Sequence, residues 1–416
     1  MALLKVDLGI TPETTYSLAG KQIKFDSADS ISTYVLELVS QKNVQKIDLS
    51  GNTIGIEASE ALSKAIIAHK DTLLEVDLSD IYTGRLNTEI PQSLQYILPA
   101  LLQCSKLLVV NLCDNAFGLQ TIDPIEDYLA KAVTIEHLVL SNNGMGPFAG
   151  ARIGTCLLKL AKAKQAAGKP SLKSFICGRN RLEDGSTNHL SIGLRNHKDL
   201  QVVRLYQNGI RPKGIARLLR DGLSRNKELQ ILDLQDNTFT AKPSAVLAET
   251  LHQWPNLKEL NLNDCLLKPS GSLLLAQALS KSDQKSQLET LRLQYNELEE
   301  DALKVLAEAV AAKLPKLKVL ELNGNRFEED SPSLEKINNV FEDRGHGEVD
   351  ELDDLEEIDS EEEEEDDEES VDEAEEEQEE VDLDQLEKEL AGISVEDKDK
   401  VVDSLADELS GAHINE

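Results

Sequence analysis

The chemistry open to this chain is limited by where its reactive side chains fall. His69, His137, His189, His197, His252, His346 and His413 are scattered, and none forms an H-E-x-x-H pair able to hold zinc. No G-x-S-x-G elbow presents a serine nucleophile, and no G-x-x-x-x-G-K-[ST] loop is available to cradle phosphates. Cys104, Cys113, Cys156, Cys177 and Cys265 lie far apart without a C-x-x-C pair. That spacing argues against a zinc site and a disulfide framework, and it fits a reducing compartment. No metal or cofactor is expected. Two polar residues are better candidates for acting on another molecule. Asn142, half of the doublet Asn142–Asn143, has an amide that can donate and accept at once. Arg85, following Gly84 in the segment DIYTGRLNTEIP from Asp80, is a permanent cation in what reads as a mobile, exposed setting. Either could serve a bound partner. Equally, Asn142 could be solvent-exposed decoration and Arg85 a solvated surface charge.

The elements that carry these residues are repeats. The frame L-x-x-L-x-L-x-x-N-x-L recurs along the chain, most clearly as LQILDLQDNTF from Leu229. Its asparagine position is filled by Asn52, Asn115, Asn143, Asn180, Asn208, Asn237, Asn296 and Asn325, with Ile81 and Cys265 as substitutes. Successive spacings are 29, 34, 28, 37, 28, 29, 28, 31 and 29, too regular to be accidental. The L-x-L core alternates with period two and reads as a short strand. The asparagine, buried where the strand turns, can satisfy backbone groups of its own and the adjacent repeat. Cys265 can do part of this as a weak donor, whereas Ile81 cannot, so a local irregularity is expected there.

Between the frames, apolar residues take helical spacing: Ala58, Ala61, Leu62, Ala65 and Ile66 form one stripe, and Leu303, Val305, Leu306 and Val310 another. A period near 28–29 residues leaves room for a helix of three turns or more. The expected fold is an α/β leucine-rich-repeat solenoid, a ribonuclease-inhibitor-like horseshoe with parallel strands inside and helices outside, stabilised by stacking. The two long spacings mark insertions at 82–91 and 161–170, read as loops emerging on a surface. The residue just before each ladder asparagine lies beside the turn, where its side chain can point outward. Besides Asn142 these positions hold Asp80, Asp114, Arg179, Gln207, Asp236, Asp264 and Tyr295, with glycine at 51 and 324. Arg181, Arg211 and Lys213 border later strand ends.

The formal net charge is −34, but residues 348–380 hold 24 Asp or Glu and no Lys or Arg, leaving −10 for the rest. A segment so charged cannot bury a core and is expected to be disordered, and it would repel nucleic acid. The organisation expected is a cap and degenerate first repeat over 1–43, the repeat array over 44–345, the acidic tail over 346–382, and a C-terminal segment over 383–416. In that last segment Leu383, Leu386, Leu390 and Ile393 have helix-like spacing. Leu386, Leu390, Ile393 and Val395 also fit a leucine-rich export spacing, with one face of a short helix as the plainer explanation. Residues 1–20 show no basic region followed by an apolar run, and no apolar run approaches the ~18 residues a membrane span needs. Membrane insertion is therefore not expected, and nothing suggests more than a monomer.

The residues between the leucines carry a resemblance. The segments LSGNTIGIEAS from Leu49, DIYTGR from Asp80, CDNAFG from Cys113, SNNGMGPFAG from Ser141, ICGRNRLEDGS from Ile176 and QNGIRPKGI from Gln207 resemble the fungal GTPase-activating proteins of the small GTPase Ran. The likeness covers roughly 10–345, with the acidic tail in the expected place. It implies that the chain binds Ran in its GTP form, with or without a Ran-binding protein, and stimulates hydrolysis without an active site of its own. It also implies a mechanism. Asn142 matches an asparagine that positions the GTPase's own glutamine. Arg85 matches an arginine that is important for activity and contacts the GTPase without entering the nucleotide pocket. Asp80, Asp114, Arg179, Gln207, Lys213 and Asp236 become expected partner contacts. A cytoplasmic location, including the cytoplasmic face of the nuclear envelope, and a role in nucleocytoplasmic transport follow from the same resemblance. The competing reading is a non-catalytic acidic scaffold that binds a basic partner such as histones or a nuclease; it explains the repeat and the charge but not the set Arg85, Asn142 and QNGIRPKG.

Overall fold

Each frame forms a strand whose middle residue is sealed in the core. The computed structural model describes residues 6–281, 286–356 and 381–392, which divide into two compact units meeting at the 208/209 boundary. In the first unit the strands Thr15–Ser17, Lys46–Asp48, Glu75–Asp77, Val109–Asn111, His137–Val139, Ser174–Ile176 and Val202–Arg204 pair in that order, all parallel. In the second, Ile231–Asp233, Glu259–Asn261, Thr290–Arg292, Val319–Glu321 and Glu348–Val349 do the same. The central residues Ile47, Val76, Val110, Leu138, Phe175 and Val203 in the first unit, and Leu232, Leu260, Leu291 and Leu320 in the second, are fully buried. Helices return the chain between strands and supply the opposite wall, as a parallel pairing requires. The pattern is that of stacked repeats, in which no single repeat buries its own apolar face.

Several details differ from the sequence reading. Residues 161–166, within the second insertion, are not a loop but extend the helix Gly146–Ala166 to 21 residues. The run AKAKQAA is a strong helix former, and the turn comes only at Gly168, whose φ of 63° suits glycine. The irregularity expected at Ile81 is confined to the ladder: Ile81 is fully buried, its N–H donates to Asn115 Oδ1 at 3.0 Å, and the Glu75–Asp77 strand keeps register on both sides. The amide ladder is nevertheless interrupted there: Asn115, Asn143 and Asn180 each accept the N–H of the ladder residue one repeat earlier, whereas the Ile81 side chain offers the Asn52 N–H no acceptor. The Asp123–Leu129 helix has 7 residues rather than three turns, because Thr121 Oγ1 first folds the chain back onto the Ala116 and Gly118 carbonyls.

The boundary of the acidic segment also moves. Glu348–Val349 is a strand of the array, paired parallel with Val319–Glu321. Beyond it Asp350 accepts from the Leu322 N–H and from Gln294 Nε2, Asp353 from Asn323 Nδ2, and Glu356 from Arg326 Nε. The first acidic residues thus cap the last repeat, because their carboxylates accept hydrogen bonds that a further repeat would have accepted. Residues 357–380, together with Ile393, Val395 and the rest of 393–416, lie outside the described residues. The segment Leu383–Gly392 is a helix with Leu383, Leu386 and Leu390 buried in the second unit, where Arg217 Nη1 donates to the Val381 carbonyl at 3.1 Å.

Candidate functional site

The turn after each strand fixes what its edge can present. Every position just before the ladder residue is left-handed: φ is 50° at Asp80, 56° at Asp114 and Asn142, 57° at Arg179 and 53° at Gln207 in the first unit. In the second it is 54° at Asp236, 55° at Asp264 and 53° at Tyr295, and the two glycines, Gly51 and Gly324, sit at 68°. This conformation costs an ordinary residue roughly 1–2 kcal/mol and is best tolerated by Gly, Asn and Asp, which fill seven of the ten positions. At eight of the ten positions the backbone N–H crosses to a carbonyl of the next repeat, as Asp114 does to Ser141 and Asn142 to Gly178, at 3.0 and 2.9 Å. With the main chain held there, the side chain projects from the strand edge. Asp114, Asn142, Arg179, Gln207, Asp264 and Tyr295 are exposed, and Asp80 and Asp236 half-buried. Lys213 is exposed in the second unit, at the start of the Pro212–Arg217 helix.

Behind this edge runs the amide ladder. Asn143 Nδ2 donates to the Leu112 and Leu140 carbonyls at 3.1 and 2.7 Å, while its Oδ1 accepts the Asn115 N–H at 2.9 Å. Asn180 Oδ1 in turn accepts the Asn143 N–H, and Asn208 Oδ1 the Asn180 N–H, both at 2.8 Å. Asn52 holds the Ile23 N–H in the same way, and in the second unit Asn237, Asn296 and Asn325 hold Ile210, Cys265 and Leu298. Cys265 Sγ lies 3.4 Å from the Leu234 carbonyl and 3.5 Å from the Asn263 carbonyl, longer and weaker contacts than those of an amide.

Asn142 and Asn143, adjacent in sequence, therefore face opposite ways. Asn143 is buried in the ladder and Asn142 stands at the surface. Asn142 points outward but is held: its Nδ2 donates to Asp114 Oδ1 at 2.8 Å, on the equivalent position one repeat earlier. A carboxylate can only accept, so the contact orients the amide with the nitrogen toward Asp114 and Oδ1 directed away. No described residue donates to that oxygen. The site thus offers one oriented carbonyl acceptor on a rigid edge.

Arg85 departs furthest from expectation. Its side chain is 7% exposed and its guanidinium is spent on its own chain. Nη1 pairs with Asp26 at 2.8 Å, Nε donates to Thr53 Oγ1 at 2.8 Å, and Nη2 donates to the Phe25 and Thr53 carbonyls at 3.0 and 3.2 Å. The reading of a mobile, exposed charge is corrected. The guanidinium forks between the Lys24–Phe25 and Thr53–Ile54 strands, which pair with each other, and clips the first insertion to the N-terminal cap. Its planar set of donors suits two carbonyls, a hydroxyl and a carboxylate at once.

The turn beneath Asn142 includes residues that sequence reasoning passed over. Ser141, Gly178 and Tyr206 all occupy the position two before the ladder asparagine in three successive repeats. Tyr206 is buried together with Cys113, Val139 and Ile176 in an apolar cluster on the strand face. Burial pushes the Cys113 thiol up to about 12, so it stays protonated. The available signal was columnar: Val139 and Ile176 stand where the equivalent residues of other repeats are Asp48, Asp77, Asn111, Asp233 or Asn261.

Fold and repeat chemistry together define a leucine-rich-repeat protein whose built feature is an oriented surface amide. No family model matches the chain. It is 51% identical over 338 residues to Ran GTPase-activating protein 1 of Saccharomyces cerevisiae, covering 80% of this chain and 83% of that one. Ran GTPase-activating protein of Drosophila melanogaster is 31% identical over 322 residues, 76% of this chain and 53% of its own. Ran GTPase-activating protein 1 of Xenopus laevis is 36% identical over 198 residues, 47% and 34% of the two chains. A solved internalin from Listeria monocytogenes overlaps 81% of this chain and 86% of its own at 17% identity, with a TM-score of 0.43. The chain belongs to the Ran GTPase-activating proteins.

Proposed function

We propose that this protein binds Ran in its GTP form and accelerates hydrolysis by orienting the GTPase's own catalytic glutamine through the Asn142 carbonyl. The relatives supply the partner by their names. The observation that carries the mechanism is the Asn142–Asp114 contact, which leaves Oδ1 as an acceptor for a glutamine side-chain N–H. A glutamine held so turns its own carbonyl toward the attacking water. Positioning of that kind removes orientational freedom before the chemical step, and displacement by about 1 Å can cost on the order of 10²-fold in rate. An inserted arginine is the other way to activate a GTPase, worth roughly 10³–10⁵. The Arg85 side chain is committed to Asp26, Phe25 and Thr53, which disfavours it for that role and for direct contact with the partner. Arg85 serves the site by fixing the cap and the first insertion, which carries Asp80 at its base. Acting in the cytoplasm, the protein would discharge Ran during nucleocytoplasmic transport.

Phosphate release from GTP-loaded Ran in the presence of catalytic amounts of the protein tests the reading. Many turnovers per molecule are expected. Stoichiometric binding without turnover would point to a non-catalytic scaffold, and release without Ran would point to an intrinsic hydrolase.

A further inference from the structure

The turn that carries Asn142 is wired unlike those of the repeats before it. In the repeats before it, the N–H two residues ahead of the ladder position is held by a side chain of its own strand. Ser50 donates to Asp48 Oδ1 at 3.1 Å, Ser79 to Asp77 Oδ1 at 2.9 Å and Cys113 to Asn111 Oδ1 at 3.0 Å. Val139 and Ile176 take the place of that acceptor in the Asn142 repeat and the next, and neither can accept a hydrogen bond. The orphaned donors turn sideways. Ser141 N–H goes to Cys113 Sγ at 3.2 Å, and Gly178 N–H goes to Ser141 Oγ at 3.1 Å. The Tyr206 hydroxyl reaches the same Ser141 Oγ at 3.3 Å, spanning two repeats.

Gly178 explains how that reach is possible. It does not have a positive φ, so glycine is not there for conformational freedom. It is there for space: a Cβ at 178 would lie 2.4 Å from the Tyr206 ring. The ring lies across Gly178 and seals Val139 and Ile176. The Gly178 carbonyl, meanwhile, accepts the Asn142 N–H at 2.9 Å. Ring, serine and glycine thus bracket the left-handed turn on which Asn142 stands.

We propose that Tyr206 is a positioning residue for Asn142, acting through Gly178 and Ser141 to hold the turn rigid while the amide engages the partner's glutamine. The proposal rests on the reading of Asn142 given above. A left-handed asparagine has neighbouring backbone wells to relax into once its clamp is loosened, and small displacements of an orienting group are costly.

The test is single-turnover hydrolysis by GTP-loaded Ran at saturating protein, with the dissociation constant measured separately. Tyr206→Phe keeps the ring over Gly178 and removes one modest hydrogen bond, so a loss of about threefold in the hydrolysis rate is expected. Tyr206→Leu removes ring and hydroxyl, and a loss of roughly tenfold or more is expected with the dissociation constant nearly unchanged. In an Asn142→Ala background both substitutions should be silent, since a residue that acts through Asn142 has nothing left to position. A merely structural tyrosine would shift the melting temperature without this split. Should Tyr206→Leu fail to fold, Tyr206→Phe decides. Unimpaired Tyr206 variants beside an impaired Asn142→Ala overturn the positioning role alone. Tyr206 losses that persist undiminished in the Asn142→Ala background overturn it too. An unimpaired Asn142→Ala overturns the reading beneath it.

Discussion

Removing the Asp114 carboxylate isolates its orienting role, because Asp114→Ala leaves the Asn142 side chain chemically intact. Both residues are exposed, so the contact is worth less than a buried charged hydrogen bond, yet its consequence for geometry can be counted. Without Asp114 the Asn142 side chain has about three staggered χ1 wells and about two amide orientations open to it. If all were equally populated, the productive arrangement would fall to roughly one in six, about 1 kcal/mol. A loss of about fivefold in single-turnover rate at saturating protein is therefore expected. Asn142→Ala, which removes the orienting group itself, should cost on the order of 10²-fold. Asp114→Asn should fall between wild type and Asp114→Ala, since an amide can accept from Nδ2 but can also flip and donate to Oδ1. Asn142→Asp should be at least as damaging as the alanine, because two carboxylates would then face each other across 2.8 Å. The assay is rapid-quench phosphate release with Ran as the limiting component. A rate for Asp114→Ala equal to wild type would refute the orienting contact. A loss as deep as that of Asn142→Ala would show that Asp114 itself takes part in the step.

The other predictions concern stability. Arg85→Ala strips two contacts to the N-terminal cap and two to Thr53, and should lower unfolding free energy by about 2–4 kcal/mol, at the lower end of a broken buried pair because Asp26 is half exposed. Arg85→Lys should recover less than half of that in urea titrations, having lost the fork; full recovery would mean charge alone matters. Asn180→Ala removes donors to Leu140 and Gly178 and the acceptor of the Asn143 N–H, at a cost of about 3–4 kcal/mol in unfolding free energy measured by urea titration, and a cost under about 1 kcal/mol would contradict the ladder's role. Burial lowers His137 and His189 to about 4 and His197 to about 3, so each is neutral when folded and takes a proton on unfolding. The unfolded state binds more protons below the ordinary value of 6.5, and stability should fall as pH drops from there toward 4, by up to roughly 3 kcal/mol each for the deeply buried His189 and His197 and by less for His137. His197 makes the reason visible, since Nδ1 accepts the Leu172 N–H at 3.1 Å and protonation there would break that bond. A urea midpoint unchanged between pH 6.5 and 4 would contradict this.

Much of the fold was readable because it is periodic. Leu229, Leu232, Leu234 and Asn237 recur in a frame whose strand, turn and ladder follow from local rules, and stacking repeats those rules. The opposite orientations of Asn142 and Asn143 follow from the same frame. What the frame did not reveal depends on contacts between residues far apart in the chain. Arg85 looked exposed because it follows Gly84 in an insertion, yet its partners Phe25, Asp26 and Thr53 lie up to 60 residues away. The cap at 348–356 was hidden by its charge, which says nothing of carbonyl-hungry N–H groups waiting at the last turn. The bracket of Ser141, Gly178 and Tyr206 spans 65 residues, and only the loss of an acceptor at Val139 and Ile176 hinted that those turns needed other partners.

The central claim is that a surface amide of this protein orients the glutamine of another. Its most direct test is Asn142→Ala under saturation, with affinity for GTP-loaded Ran measured in parallel. A fall in the hydrolysis step of about 10²-fold with affinity kept within about threefold is the predicted result. Hydrolysis at the wild-type rate, or a loss that excess protein restores in full, would contradict it.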